Sequence, residues 1–444
     1  MSPETLRGPA ADRQRPALYG AGALGASLLL QTIVLWLIYF YAPPAGQGVI
    51  RLSPGLIGLA LAAGRIVNAV SNPLAAYLSD RVESRWGRRR PFIAIGAPAL
   101  VAWYLLLWNP PNAPAAVTFV YVTVSLCGFF FFFSLVMNPY AALLPDITPG
   151  GHGRVSTASW QAGATLAGVG AAMIASPWLI ARYGFGAMGG VLGVAALLLL
   201  WTVAAGVPDP PRARGRLPGF FGSMGAVLQN RAFIVYLVSI SLLWLGTSMV
   251  NATAVYVITV LMGLPRDQVG AVLAAVFLCA LAAFPVLSAV TARLGTPRTL
   301  AWTLGLTAAI VPLIGGIGLA GAPFSRVAQG YVIIVISAAP LAALLVLPNT
   351  LLADIAERNR HETQEAHEAM FYAVQGLVLN GSTAAASVIL GEMLALGDSP
   401  GQALGLRLIP MIAGGCTLLA LVAFRRFPTS VGTGRPDEPS RSAM

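Results

Sequence analysis

The chain has 444 residues, 57% of them hydrophobic and only 10% charged, and its mean hydropathy is +0.75. A soluble domain carries about 25% charged residues, so this chain cannot cover a water-facing surface and lipid must be the solvent for most of it. The formal net charge is +11, and every basic side chain is Arg, with no Lys at all. A basic balance can mark a nucleic-acid partner. Here the arginines stand in short runs between apolar stretches, which suits anionic lipid headgroups instead, so no nucleic-acid partner is expected. Cys127, Cys279 and Cys416 are isolated in apolar runs and read as packing residues, with neither a disulfide framework nor a metal site expected.

A bilayer core is crossed by about 20 apolar residues as helix. Twelve stretches meet that length: 17–41, 52–79, 91–109, 115–144, 156–183, 187–207, 231–262, 268–293, 298–320, 328–353, 367–394 and 404–427. Residues 1–16 are polar and read as a cytoplasmic N-terminal segment. The first apolar stretch is long enough to span and has no clear cleavage site, so a cleavable signal peptide is not expected. Twelve spans put both termini on one side. With that side inside, 21 arginines fall in cytoplasmic segments, five outside (Arg51, Arg182, Arg266, Arg326, Arg407) and one, Arg65, within a span. That asymmetry is the positive-inside pattern of a bacterial cytoplasmic membrane protein with both termini cytoplasmic.

The predicted organisation is a six-helix half over 17–207, a Pro-, Gly- and Arg-rich cytoplasmic linker over 208–230, a second six-helix half over 231–427 and a disordered cytoplasmic tail over 428–444. An internal repeat supports the division. Arg85, Gly87 and Arg90 follow the second span, and Arg293, Gly295 and Arg298 follow the eighth, each pair 208 residues apart. Asp146 and Asp354, at the inner ends of the fourth and tenth spans, are again 208 apart. The fold class is therefore all-α membrane, twelve transmembrane helices in two pseudo-symmetric halves. Parallel six-helix repeats of this kind resemble the build of major facilitator transporters, whose solute site lies near mid-membrane between the halves.

The run Asp80-Arg81-Val82-Glu83-Ser84-Arg85-Trp86-Gly87-Arg88-Arg89-Arg90-Pro91 makes the resemblance specific. It looks like the cytoplasmic loop signature of the major facilitator superfamily in the form carried by the glycoside–pentoside–hexuronide symporters, the melibiose carrier's group, and by the related sucrose transporters. Gly87 permits a tight turn between two helices. Asp80 with Arg81, Arg85, Arg88, Arg89 and Arg90 can form ion pairs that hold the inner mouth closed. Asp146 with Arg154, and Asp354, are expected to join that gate, because a carboxylate at a helix C-terminus needs a cationic partner. Plain positive-inside topology explains the arginines equally well, but not Asp80 and Gly87. The resemblance extends through Tyr19 to Tyr41 in the first span, Asn251 to Tyr256 in the seventh, and Glu368, Tyr372, Val374, Gln375, Asn380 and Gly381 in the eleventh.

Arg65, Asn68 and Asn72 share one face of the second span. A charge near mid-span is costly and faces a bundle interior or wet cavity. The resemblance implies Asp at both asparagine positions in cation-coupled members, often Lys at Asn380, and a sugar-binding Asp in the first helix where Ser27 stands. An Asn brings a carbonyl oxygen but no charge, and it does not titrate. A Na⁺ site is therefore not expected; H⁺ is the better coupling ion if there is one, with Glu392 as the possible proton site. An Arg65 without acidic neighbours could instead pair with an acidic solute. The polar residues expected along the solute route are Ser27, Gln31, Arg65, Asn68, Asn72, Asn138, Trp160, Gln161, Asn251, Tyr256, Asn349, Tyr372, Gln375 and Asn380, although each alone could be glue between helices.

The resemblance implies a carrier that moves a small polar organic solute (a sugar, glycoside or uronate) by alternating access, as a monomer and without a cofactor. One alternative is an exporter or carrier of an acidic non-sugar metabolite without Na⁺ coupling. Another is a sensor or assembly factor on a transporter fold. An intramembrane enzyme is disfavoured. His361-Glu362-Thr363-Gln364-Glu365 begins like a zinc-protease helix but ends in Glu, which removes a metal ligand. His152, His361 and His367 lie in or beside loops, far from mid-membrane. The sequons at Asn251 and Asn380 fall inside spans and are discounted.

Overall fold

In the computed structural model the residues described are 9–81, 84, 86–147, 151–207, 225, 227–319, 324–363, 368–399 and 401–428. Among them run eleven α-helices: α1 (Pro9–Tyr41), α2 (Pro54–Arg81), α3 (Arg90–Trp108), α4 (Ala115–Ile147), α5 (Gly151–Gly206), α6 (Arg231–Tyr256), α7 (Val269–Leu294), α8 (Thr296–Ile310), α9 (Arg326–Thr363), α10 (Glu368–Ala395) and α11 (Leu404–Phe424). Their long apolar sequences leave helix as the local solution, since a helix bonds its own backbone where no water can. Proline sits in the first turn of α3 and α8, where its missing N–H costs nothing. Gly87 and Gly295 both turn the chain with positive φ, 101° and 80°. The two glycines of the sequence repeat thus share a left-handed conformation that other residues rarely adopt.

Eleven helices among the described residues are long and apolar enough to cross a membrane. Two of the expected spans are continuous in α5, whose apolar stretch Ser156–Gly206 has 51 residues. At about 1.5 Å per residue this is more than twice a bilayer core. Within it Gly184 leaves helical geometry, with φ 80° and ψ 175°, at the position where the sequence predicts the break. Helix α6 runs into a π-helical turn over Val257–Leu261, closed by Met262 N–H to the Val257 carbonyl at 2.9 Å. Helix α8 tightens into a 3₁₀ segment over Val311–Gly316.

By packing the chain forms two compact units, and they are not the two sequence halves. The first comprises Met1–Gly215, Asn251–Ala274 and Thr383–Leu406; the second comprises Arg216–Val250, Ala275–Ser382 and Arg407–Met444. In the first unit α1 lies along α5, and α4 packs on α2 and α3. A Cβ on Gly168 would stand 2.6 Å from the Leu24 carbonyl oxygen, so only glycine lets α5 approach α1 so closely. Trp36, Phe40, Trp108 and Phe185 form an aromatic cluster, and the Trp36 indole N–H donates to Ser176 Oγ at 2.8 Å. Tyr19 and Tyr140 stack with centroids 4.5 Å apart, and each hydroxyl donates to the other residue's backbone carbonyl. The second unit is built on Phe233, Tyr236, Leu300, Leu304, Leu351, Phe371 and Phe424. Its core holds a cavity of about 10 Å³ beside Tyr236, Ser239 and Leu243, no larger than a water site.

Only glycine occupies a backbone with the φ and ψ of Gly184, so Gly184→Val should cost about 1–3 kcal/mol and lower the thermal midpoint of the detergent-purified protein. Gly190→Ala, in the same helix and with open space at the Cβ, should leave that midpoint unchanged or raise it.

Candidate functional site

Helix α2 sorts its residues into two faces. Leu59, Ile66, Val70, Leu74 and Leu78 form an exposed apolar stripe, which is the surface a lipid contact requires. Arg65, Asn68 and Asn72 lie on the opposite side, against α4. Asn68 is only 7% exposed, and its Oδ1 accepts from Ser134 Oγ at 2.6 Å. One turn further, Asn72 Oδ1 accepts from Asn138 Nδ2 at 2.9 Å. Asn138 Nδ2 also donates to the Ser134 carbonyl at 2.9 Å. Both side-chain pairs are separated by 66 residues, the mark of two parallel helices in register. One turn the other way, the Arg65 guanidinium stands 4.6 Å from the centroid of the Phe130 ring.

A second set of contacts joins α1 to α6 and the segment after it, all within the first unit. Gln31, 8% exposed, donates through Nε2 to Asn251 Oδ1 at 3.5 Å. The Tyr256 hydroxyl donates to the Ala42 carbonyl at 2.5 Å, and its ring meets Tyr39 edge-on at 5.2 Å. Arg266 Nε donates to the Tyr39 hydroxyl at 3.0 Å, which in turn donates to Gln47 Oε1 at 2.5 Å. Asp398, between α10 and α11, interacts electrostatically with Tyr256, and burial raises its carboxyl above the usual carboxylate range. Helices α2 and α10 also meet closely. A Cβ on Gly58 would lie 2.3 Å from the Ser387 carbonyl oxygen, and one on Gly391 would lie 2.6 Å from that of Pro54. Ser27 is half-buried on α1 where Gly168 approaches.

Several residues expected along a solute route sit elsewhere or serve another purpose. Gln375 is buried: its Nε2 donates to the Tyr236 hydroxyl at 2.8 Å, and that hydroxyl donates to the Pro348 carbonyl at 2.9 Å. A buried amide must find partners in the protein, and here a tyrosine provides one. Tyr256 is likewise buried. Asn380 donates to its own helix at Gly376. Tyr372 is 45% exposed and Trp160 56%; Asn349 is exposed and Gln161 half-buried. Glu392, the possible proton site, is exposed, with its Oε1 at the first turn of α2 beside Gly55.

The cytoplasmic loop signature is described in part. The side chains of Asp80, Arg81, Arg85, Asp146 and Arg154 lie outside the described residues. Arg88 is half-buried. Arg89 is buried and donates to the Ala142 carbonyl near the end of α4. Arg90 donates to the Ala204 and Ala205 carbonyls, at 2.5 and 2.7 Å, at the end of α5. The carboxylates expected to pair with these arginines lie outside the described residues; of the described bonds, that of Arg89 reaches an α4 carbonyl one turn before the helix end, and those of Arg90 reach the last turn of α5, where carbonyls lack intrahelical donors and the dipole favours a cation. Asp354 is half-buried on α9. Among the described residues no group of three or more His, Cys, Asp or Glu could hold a metal ion.

Ser134, Phe130, Tyr39 and Tyr236 escaped the sequence reading. Ser134 and Asn138 repeat the four-residue spacing of Asn68 and Asn72, a signal that could have paired the two helices. The tyrosines carried no such signal. Tyr236→Phe should strand the Gln375 amide and cost about 1–3 kcal/mol; a lowered thermal midpoint checks this, and an unchanged one would remove that bonding chain from the account.

A family described as MFS/sugar transport protein matches residues 18–408. A symporter without assigned function from Synechocystis sp. is 28% identical over 216 residues, covering 47% of this chain and 33% of that protein. The putative glycoside/cation symporter YagG of Escherichia coli is 30% identical over 193 residues, covering 41% of this chain and 40% of that protein. The chain thus spans well under half the length of these curated relatives. A crystal structure of the nucleoside transporter NupG superposes with a TM-score of 0.67 at 11% identity, covering 94% of this chain and 98% of that one, a likeness of fold.

Proposed function

Since the chain belongs to the family of MFS/sugar transport proteins, whose members are transporters and not enzymes, we propose that it carries a small polar organic solute, a sugar, glycoside or uronate, across the bacterial cytoplasmic membrane by alternating access. The observation that carries this reading is the face formed by Arg65, Asn68 and Asn72, set against α4 and opposite the apolar stripe of α2. Polar and charged groups at that depth persist where a protein serves a polar route.

The chain crosses the membrane twelve times in this reading, with α5 crossing twice about Gly184 and both termini cytoplasmic. The side bearing residues 42–53 is then outside. The bonds Gln31–Asn251 and Tyr256–Ala42, with the close approach of α2 to α10, belong to a state closed at its outer end, and they must break for the outer end to open. The protein works as a monomer among anionic headgroups and without a cofactor. Asn68 and Asn72 offer no charge to Na⁺, so its gradient is not the driving force, and a proton gradient is the better candidate. An exporter of an acidic metabolite is the second reading, favoured by the mid-span charge of Arg65.

Purified protein in proteoliposomes tests the proposal. Labelled hexoses, pentoses, methyl glycosides and hexuronates should include a solute whose uptake saturates and is competed by its unlabelled form. That uptake should be unchanged when Na⁺ is replaced by choline. No saturable uptake of any of them would leave a sensor on a transporter fold. Tyr256→Phe removes one outer bond, worth about 1 kcal/mol, and should raise labelling of a cysteine placed at Leu52, which is 2% exposed.

A further inference from the structure

We infer that the second unit binds an anionic phospholipid at the membrane surface where α9 begins, with the lipid phosphate between Arg326 and Arg407; that this surface is the outer one rests on the orientation read above. Five arginines are expected on that side, and two of them, far apart in the chain, meet here. Arg326 opens α9 and Arg407 lies in the first turn of α11, and they stand close enough to repel each other electrostatically. Arg407 Nη1 donates to the Gly315 carbonyl at 2.5 Å, near the end of the 3₁₀ segment. The Arg326 side chain crosses the backbone a few residues further on, where a Cβ on Gly318 would stand 2.9 Å from its Cδ. Gln329 fixes this turn: its Oε1 accepts from the Gly318 N–H at 2.9 Å, and its Nε2 donates to the Phe324 carbonyl at 2.7 Å. Both guanidinia are thus gathered on one short, braced piece of backbone. A guanidinium carries several N–H donors, and the bond to Gly315 engages one.

Two like charges held side by side call for an anion, and the protein brings none to them. Asp354 and Glu357, the carboxylates of the second unit whose side chains are described, stand near the opposite end of α9. Ala320 to Pro323, next to the site in the chain, have no ionisable side chain. Among the described residues no carboxylate pairs with either arginine. The neighbours say which anion fits. Leu313, Leu319, Phe324 and Val332 are each more than half exposed, so the basic pair is flanked by apolar side chains of the kind that meet acyl chains. A small free anion gains nothing from them. A phospholipid places its phosphate on the guanidinia, which bond phosphate oxygens in parallel pairs, and its chains on the apolar residues. With no acidic group present, an ammonium headgroup finds no partner, so phosphatidylglycerol fits better than phosphatidylcholine. Bound there, one phosphodiester bridges α9 and α11 and ties both to the 3₁₀ segment.

Photocross-linking in lipid nanodiscs tests the site. The Phe324→p-benzoylphenylalanine protein should capture labelled phosphatidylglycerol about tenfold more than labelled phosphatidylcholine at equal mole fraction, as charge-assisted bonds predict. Adding Arg326→Gln should bring the two close to equal; Arg326 is exposed, so the fold does not depend on it. Adding Arg182→Gln, which removes an exposed arginine from α5, should leave the preference unchanged. Millimolar inorganic phosphate should not displace the lipid. Equal capture of the two lipids without further substitution, a full preference in Arg326→Gln, an equal loss in Arg182→Gln, or displacement by inorganic phosphate each overturns the inference. Orientation is read separately: a membrane-impermeant maleimide should label Phe324→Cys in spheroplasts and not in inverted vesicles. The reverse pattern overturns the orientation, while a phosphatidylglycerol preference lost with Arg326 still establishes the site.

Discussion

The hydrocarbon core of a membrane supplies no hydrogen-bond partner, so every polar group of a spanning segment must find one within the protein. Most of the described polar groups follow that rule; among the described residues the buried exceptions are Arg89 Nε, Trp108 Nε1, Thr123 Oγ1 and Thr291 Oγ1. Hydroxyls inside the helices bond back to carbonyls four residues earlier: Ser239 to Val235, Thr259 to Val255, Thr303 to Thr299 and Thr417 to Ala413. Helix ends, which leave carbonyls over, receive arginines. Arg90 serves α5, and Arg407 donates to Gly315 at the end of the 3₁₀ segment. An all-arginine chain gains from this, since a guanidinium presents five donors to several carbonyls at once.

The same rule explains why the polar residues of α2 and α4 come as a register of pairs. Two isolated asparagines within a span would each expose an amide to lipid. Placed four apart on one helix and met by Ser134 and Asn138 four apart on a parallel neighbour, they satisfy one another and fix the register of the two helices. The pairing also commits the amide oxygens to α4. An aspartate in either position would hold charge and attract a cation; an asparagine brings none. Arg65, one turn along the same stripe, has the face of the Phe130 ring as its described contact.

Close helix contacts carry the rest of the architecture. Gly58 and Gly391 let α2 and α10 approach backbone to backbone, where small residues replace hydrophobic driving force as the source of packing energy. Such contacts hold by fit alone and break without stranding a polar group. The bonds from Gln31 and Tyr256 add modest, reversible terms to them. The π turn after Tyr256 loosens α6 next to those bonds, as π turns often do at functional positions.

Length and apolarity in the sequence located the eleven long apolar helices among the described residues, two of the expected spans being continuous in α5, because only a helix of about 20 apolar residues solves the backbone problem in lipid. They also placed the break at Gly184, the loop glycines Gly87 and Gly295, and the polar face of Arg65, Asn68 and Asn72, all of which follow from local spacing. Partners did not follow from spacing. That Gln375 bonds Tyr236, that Arg89 and Arg90 reach carbonyls of α4 and α5, that Glu392 is exposed, and that residues 251–274 and 383–406 pack with the first half are facts about which surfaces meet. Those depend on contacts between residues far apart in the chain, and on side-chain directions that a one-dimensional pattern does not contain. The tertiary structure alone decided them, because a buried polar atom bonds whatever donor or acceptor the neighbouring helix brings within about 3 Å.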